Sequence, residues 1–201
     1  MSLTVLNETI YEKEVLHSQF ICSLRHAETE DDFVRQLKEI KEAYPKAEHY
    51  CYGARIGNNE KMGDDREPGH SAGLQILSTL RNKKLENVSI VIVRYFGGIK
   101  LGLPRLTRTY RECAEEVISK SQLVEAKPGL KANLAVSYPE LDTTKYQIEK
   151  QGFKISNIIY DEVIKISFVG EKEQVRHYLD NFDPKKVLSL EEDTLYSEVN
   201  I

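Results

Sequence analysis

Residues 88–93, Val-Ser-Ile-Val-Ile-Val, constrain this chain more than any other stretch. Apolar side chains fall on both alternating faces of the run, and such a strand sits inside a sheet that is covered above and below. The run passes through Arg94-Tyr95-Phe96-Gly97-Gly98-Ile99-Lys100-Leu101-Gly102 into a helix expected from about residue 104 to 120. A strand, a glycine-rich turn and a helix N-terminus together expose backbone N–H groups able to cradle phosphate. Between Glu86 and Glu112 there is no acidic residue, while Arg94, Lys100, Arg105, Arg108 and Arg111 all fall there, in a chain of formal net charge -4.

Each helical residue turns the chain by about 100°. Leu106, Tyr110, Cys113 and Val117 therefore share one stripe, and Arg105, Arg108 and Arg111 lie roughly opposite. A cation in a first turn is opposed by the helix dipole by about 0.3–1 kcal/mol. Helix energetics thus give no reason for these arginines, whereas an anionic partner does. The expectation is a solvent-facing anion-binding surface of Arg94, Lys100, Arg105, Arg108 and Arg111, with Gly97 and Gly98 as the turn. Tyr95 is the ring expected to stack on a base, and Phe96 reads as core.

Length and composition bound the rest. With 201 residues, 40% apolar and 30% charged, the chain suits one large domain or two small ones. No apolar run approaches the roughly 20 residues of a membrane-spanning helix. A signal-peptide layout is also absent, so a cytoplasmic location and no membrane partner are expected. Cys22, Cys51 and Cys113 are an odd number without short spacing, which reads as buried free thiols rather than a disulfide or zinc framework. Residues 1–128 hold 19 basic and 19 acidic side chains, and residues 129–201 hold 9 and 13. Lys127-Pro128-Gly129 stands at that change and reads as a turn, so two domains, 1–128 and 129–201, are expected.

In the first part, strands are expected at 4–12 and 15–24, then a helix opened by Thr29 with Asp32 three residues on. Phe33, Leu37, Ile40 and Tyr44 form its apolar face and Pro45 stops it. The next strand, His49–Ile56, alternates Tyr50, Tyr52, Ala54 and Ile56 against His49, Cys51, Gly53 and Arg55. A polar loop at 57–70 leads to a helix carrying Leu74, Leu77 and Leu80. The second part reads strand 130–138, helix 139–151, strands 153–160 and 162–169, helix 171–182 and strand 187–197. That βαββαβ order is the split pattern of a ferredoxin-like sandwich.

Four blocks share an order and spacing with a known family. They are Ser18-Gln19-Phe20; His49-Tyr50-Cys51-Tyr52-Gly53-Ala54-Arg55; Asp64-Asp65-Arg66-Glu67-Pro68 with Ser71-Ala72-Gly73; and the run from Arg94 to Gly102 with Leu106, Arg108 and Tyr110. Over about residues 15–120 the chain resembles the IMPACT/YigZ family, in its two-domain bacterial form. The resemblance implies an α+β protein. Its first domain would have the ribosomal-protein-like fold of domain IV of elongation factor G, and its second a ferredoxin-like fold resembling that factor's last domain. It also implies a link to translation, since eukaryotic relatives restrain the kinase that senses uncharged tRNA. Two departures stand out: Arg66 and Leu103-Pro104-Arg105 occupy positions where the family pattern has small or glycine residues. Losing glycine stiffens the backbone there, while Pro104 suits a first helical turn.

Two functions from different classes fit these residues. One is a translation-associated regulatory or binding protein that engages RNA, the ribosome or a translation-regulating partner through the basic strand-turn-helix. The other is a small-molecule hydrolase or phosphate-ligand enzyme using His49 with Asp64, Asp65, Glu67 and His70. The binding protein is favoured, because no nucleophile and base stand at a recognisable spacing and no metal-ligand motif or cofactor fingerprint appears. For the acidic loop the simpler role is structural, with Glu67 or Asp65 holding Arg94 or Arg108 in place. No cofactor or metal is called for, and the oligomeric state is left open.

Overall fold

A computed structural model describes residues 2–198. Residues 1 and 199–201, at the outer ends of the two expected domains, lie outside the described residues. The chain divides into two units, Ser2–Glu125 and Ala126–Ser197. In the first, the elements are β1 (Ser2–Val5), β2 (Thr9–Val15), β3 (Ser18–His26), α1 (Glu30–Ala43), β4 (His49–Ile56), β5 (Asn59–Gly63), α2 (Gly73–Asn82), β6 (Val88–Tyr95) and α3 (Leu103–Ser119). A long strand, β7 (Leu123–Val136), begins there and continues into the second unit.

The sheet order β2-β3-β6-β4-β5 puts β6 at the centre, and every neighbouring pair is antiparallel. Ile90 and Ile92 pack with Ile76 and Leu80 of α2 and with Leu106 and Tyr110 of α3. Val91 and Val93, on the other face, pack with Phe33 and Ile40 of α1. The unalternating apolar run is therefore buried on both faces, as its composition requires. Cys22, Cys51 and Cys113 are buried free thiols. Among the described residues, no helix is long and apolar enough to cross a membrane.

Local chemistry fixes α1. The Thr29 hydroxyl accepts from the Asp32 amide, the Asp32 carboxylate accepts from the Thr29 amide, and Arg35 adds a third bond. Thr29, followed by Arg35, holds the Asp32 carboxyl down to about 2. Two expectations nearby need correction. The first strand is two, β1 and β2, and β2 turns into β3 through Leu16 and His17 at φ 47 and 62, with Val15 paired to Ser18. Such a two-residue turn usually uses Asn or Gly, so Leu-His gave no turn signal. The loop expected at 57–70 also contains β5, paired to β4 from Ile56↔Asn59 to Tyr52↔Gly63.

In the second unit β7 is followed by α4 (Leu141–Lys150), β8 (Lys154–Ile159), β9 (Ile164–Glu171), α5 (Lys172–Asp180) and β10 (Val187–Glu198), giving the βαββαβ order. Antiparallel pairings link β7 to β9 and β9 to β8, and β10 pairs with β7. Gly129 lies against Asp193 and Leu195, and Asn133 bonds Ser189 at 2.7 Å, so β10 also runs antiparallel. Leu134, Ile148, Phe153, Ile166, Phe168 and Val175 form a separate core. Lys127-Pro128-Gly129 is not a turn but lies within β7. Pro128 precedes the first β7–β9 pair, Gly129↔Glu171, so its missing N–H leaves that ladder intact.

Candidate functional site

Alternation along β6 puts Arg94 on the same face as Ile90 and Ile92, with Phe20 of β3 and His49 of β4 as its cross-strand neighbours. Arg94 is consequently buried, at 5% exposure, which corrects its expected place on a solvent-facing surface. Its Nη1 donates to Glu67 Oε1 at 2.6 Å, and the buried Tyr110 hydroxyl donates to the same oxygen at 2.8 Å. Nη2 reaches the Ser18 hydroxyl at 3.4 Å. A buried ion pair holds only when further hydrogen bonds offset its desolvation, and Tyr110 supplies one. The guanidinium carbon lies 5.4 Å from the Phe20 ring centre and 5.7 Å from that of Phe96. Arg94 Nε has no hydrogen-bond partner.

The acidic loop reaches this pair, and its carboxylates are held by the protein. Asp64 accepts from the amides of Ala72, Gly73 and His70 at 3.0, 2.8 and 2.8 Å, so it caps α2, whose own N-cap residue Ala72 has no capping side chain. Asp65 accepts from the Tyr50 amide, and its carbonyl accepts from His49 Nδ1 at 2.8 Å. His49 Nε2 stands 3.8 Å from Glu67 Oε1. His70 is exposed, with its backbone bonded to Asp64 and Gln75. Arg66 sits at φ 71, a left-handed conformation that favours glycine, and it donates to the Glu48 carbonyl. The Cys51 thiol bonds the Asp64 carbonyl, and burial pushes its pKa up to about 12. Burial likewise raises the Tyr110 phenol well above its ordinary value, so it remains a hydrogen-bond donor.

The glycine turn is also engaged internally. Phe96 N donates to Glu48 Oε2 at 3.0 Å and Gly97 N to the Ser18 hydroxyl at 3.2 Å, so two amides expected to cradle phosphate are already bonded. A Cβ on Gly97 would lie 2.1 Å from the His17 carbonyl carbon, so close backbone approach requires glycine there. Gly98 supplies a positive φ of 82 in open space. Tyr95 and Phe96 exchange their expected environments. Tyr95 is half-buried against the α1-side core, whereas Phe96 is 43% exposed.

An open cleft of about 390 Å³ lies between this network and α3. His49, Glu67 and Arg94 form one wall with Phe96, and Lys100, Leu103 and Leu106 border it toward the helix. Gly102, at φ 76, is the N-cap of α3 and offers no side chain to the first-turn amides. Pro104 occupies that first turn, as its residue type suggests.

Along α3, Arg105, Arg108 and Arg111 are exposed, opposite the buried Leu106, Tyr110, Cys113 and Val117. Every other arginine of the first unit pairs with a carboxylate: Arg25, Arg35, Arg55, Arg66, Arg81 and Arg94. Among the described residues Arg105, Arg108, Arg111 and the exposed Lys100 have no ion pair, and Glu112 beside them is held by Lys13 at 2.6 Å. Sequence reasoning placed Tyr110 in the core stripe and in the family's fourth block but missed its bond to Glu67. The usable signal was that a buried tyrosine hydroxyl needs a partner.

Residues 16–118 match the model of the Impact N-terminal domain. The chain is 32% identical over 171 residues to IMPACT family member YvyE of Bacillus subtilis, covering 83% of this chain and 77% of that protein. It is 25% identical over 157 residues to IMPACT family member YigZ of Escherichia coli, covering 76% and 77%. A crystal structure of a hypothetical protein superposes with a TM-score of 0.67 at 22% identity, covering 95% of each chain, and shares the α+β fold with two antiparallel sheets.

Proposed function

The chain belongs to the IMPACT family, and from that premise we propose that it is a translation-associated binding protein whose α3 face engages RNA, on its own or in the ribosome. The observation that carries this reading is the pairing pattern of the arginines. Six arginines of the first unit hold carboxylates, and the three on α3 hold none among the described residues. Their guanidinium forks, with Lys100, are free to take phosphate oxygens. In this reading the first domain, 1–128, carries the elongation factor G domain IV-like fold and the RNA surface. The second, 129–201, is ferredoxin-like, which the βαββαβ order and the pairing of β10 with β7 support. A regulatory role in the cytoplasm completes the proposal.

The test is a salt titration of labelled single-stranded RNA. If Lys100 and the three arginines each meet one phosphate, log affinity falls with log salt at a slope of about -3, since each contact on a single strand contributes about 0.7. Arg105→Ala with Arg108→Ala is expected to lower affinity and to flatten the slope by about 1.4, while stability stays within about 0.5 kcal/mol by thermal melting. Wild-type affinity in this double variant, or no binding of RNA or ribosomes by the wild type at low salt, overturns the reading.

A further inference from the structure

An RNA surface of Lys100 and the α3 arginines touches the cleft only at Lys100 and leaves the rest of it unused. The cleft is large enough for a small-molecule group, at about 390 Å³. Its wall contains Arg94, only 5% exposed and held by Glu67 and Ser18. Phe96, 43% exposed, lines the cleft, and the Arg94 guanidinium lies over its ring at 5.7 Å from the centre. Lys100 borders the same space without an ion pair among the described residues, and the uncapped first turn of α3 adds positive potential. Leu103 and Leu106 make the border beside the helix apolar.

These features ask for one ligand chemistry: a flat ring that stacks and a doubly charged phosphate. We propose that the cleft is a subsite for a nucleoside 5′-monophosphate group, its base on Phe96 and its phosphate at Lys100 and the start of α3. For the identity of the ligand the inference rests on the RNA reading. It adds that the end of a strand is recognised, because a terminal phosphate carries more charge and more free acceptor oxygens than an internal diester. The same group exists as a free mononucleotide or as the 5′ end of an RNA.

Calorimetric titration distinguishes these sources. The ligands are adenosine 5′-monophosphate, uridine 5′-monophosphate, adenosine, and one short single-stranded RNA bearing either a 5′-phosphate or a 5′-hydroxyl. Wild type is compared with Phe96→Ala, Lys100→Ala and the Arg105→Ala/Arg108→Ala double variant, all checked by circular dichroism. The 5′-phosphorylated RNA is expected to bind several-fold tighter than the hydroxyl form. Phe96→Ala is expected to weaken binding by roughly 5- to 150-fold, the range for loss of one base stack. Lys100→Ala is expected to erase the preference for 5′-phosphate. Saturable binding of either monophosphate with the same dependence on Phe96 identifies the free nucleotide as sufficient, and binding of the phosphorylated RNA alone identifies the strand end. Equal affinity for both RNA forms without mononucleotide binding, or wild-type affinity in Phe96→Ala, overturns the subsite. RNA binding that is lost in the double arginine variant but indifferent to Phe96 and to the 5′ group leaves the polyanion surface standing and removes only the subsite.

Discussion

Arg94 is a strand residue whose side chain is taken out of solvent by a carboxylate from a distant loop. Glu67 Oε1 receives both Arg94 and Tyr110, so removing that carboxylate strands a buried guanidinium and a buried hydroxyl together. Glu67→Ala is expected to destabilise the protein by about 3–5 kcal/mol in urea unfolding, whereas Glu67→Leu combined with Arg94→Met should recover most of that loss. A double variant as unstable as the single one would show that the pair is not the source of the effect. The proximity of the acidic loop to Arg94 was readable from the sequence, since an unbalanced basic segment gains from a carboxylate. Its burial was not. Whether an arginine at a strand end faces water depends on which face of the sheet it occupies and on what covers that face, and here the cover comes from α3 and the loop at 64–70. The glycine turn misled for a similar reason. Gly97 is explained by the backbone of His17, which sequence proximity could not reveal.

Elements with local signals were read well, and elements defined by their neighbours were not. The helix α1 was set by Thr29, Asp32 and Pro45, all within a few residues of its ends. Thr29→Ala is expected to destabilise by about 1 kcal/mol. The Asp32 carboxyl is held at about 2, below its unfolded value of 3.8, chiefly by the Thr29 hydroxyl. Its stabilising contribution is therefore present above about pH 4 and lost as pH falls toward 2. Unfolding measured across that window should show a steeper acid loss in wild type than in Thr29→Ala, and parallel curves would contradict the assignment. In contrast, β5 reads Asn-Glu-Lys-Met-Gly, a polar edge strand with almost no apolar pattern, and only its pairing with β4 defines it. The turn at Leu16 and His17 was hidden because both residues adopt a left-handed backbone that their side chains do not favour.

Across the chain, the change in charge and the βαββαβ periodicity led to the expectation of two domains, 1–128 and 129–201. Lys127-Pro128-Gly129 was misread because its composition signals a break while its position in β7 tolerates a proline. The cores are distinct, Phe168 lying in one and Ile92 in the other. Phe168→Ala is expected to cost about 3–5 kcal/mol in the second unit, with hydrogen exchange of the β6 amides unchanged. Faster exchange throughout β6 would show that the two units unfold together. The unpaired arginines of α3 bear on the ligand-free protein as well. Arg105, Arg108 and Arg111 stand three residues apart on one helix, where like charges repel, and the first of them faces the positive end of the helix dipole. Salt screens both effects, so as ionic strength rises the melting temperature of the free wild type should gain on that of Arg105→Ala/Arg108→Ala, and parallel curves for the two proteins would contradict the repulsion. The face is thus under electrostatic tension before any partner arrives, and a bound polyanion would relieve it, stabilising the fold by more than its contacts alone.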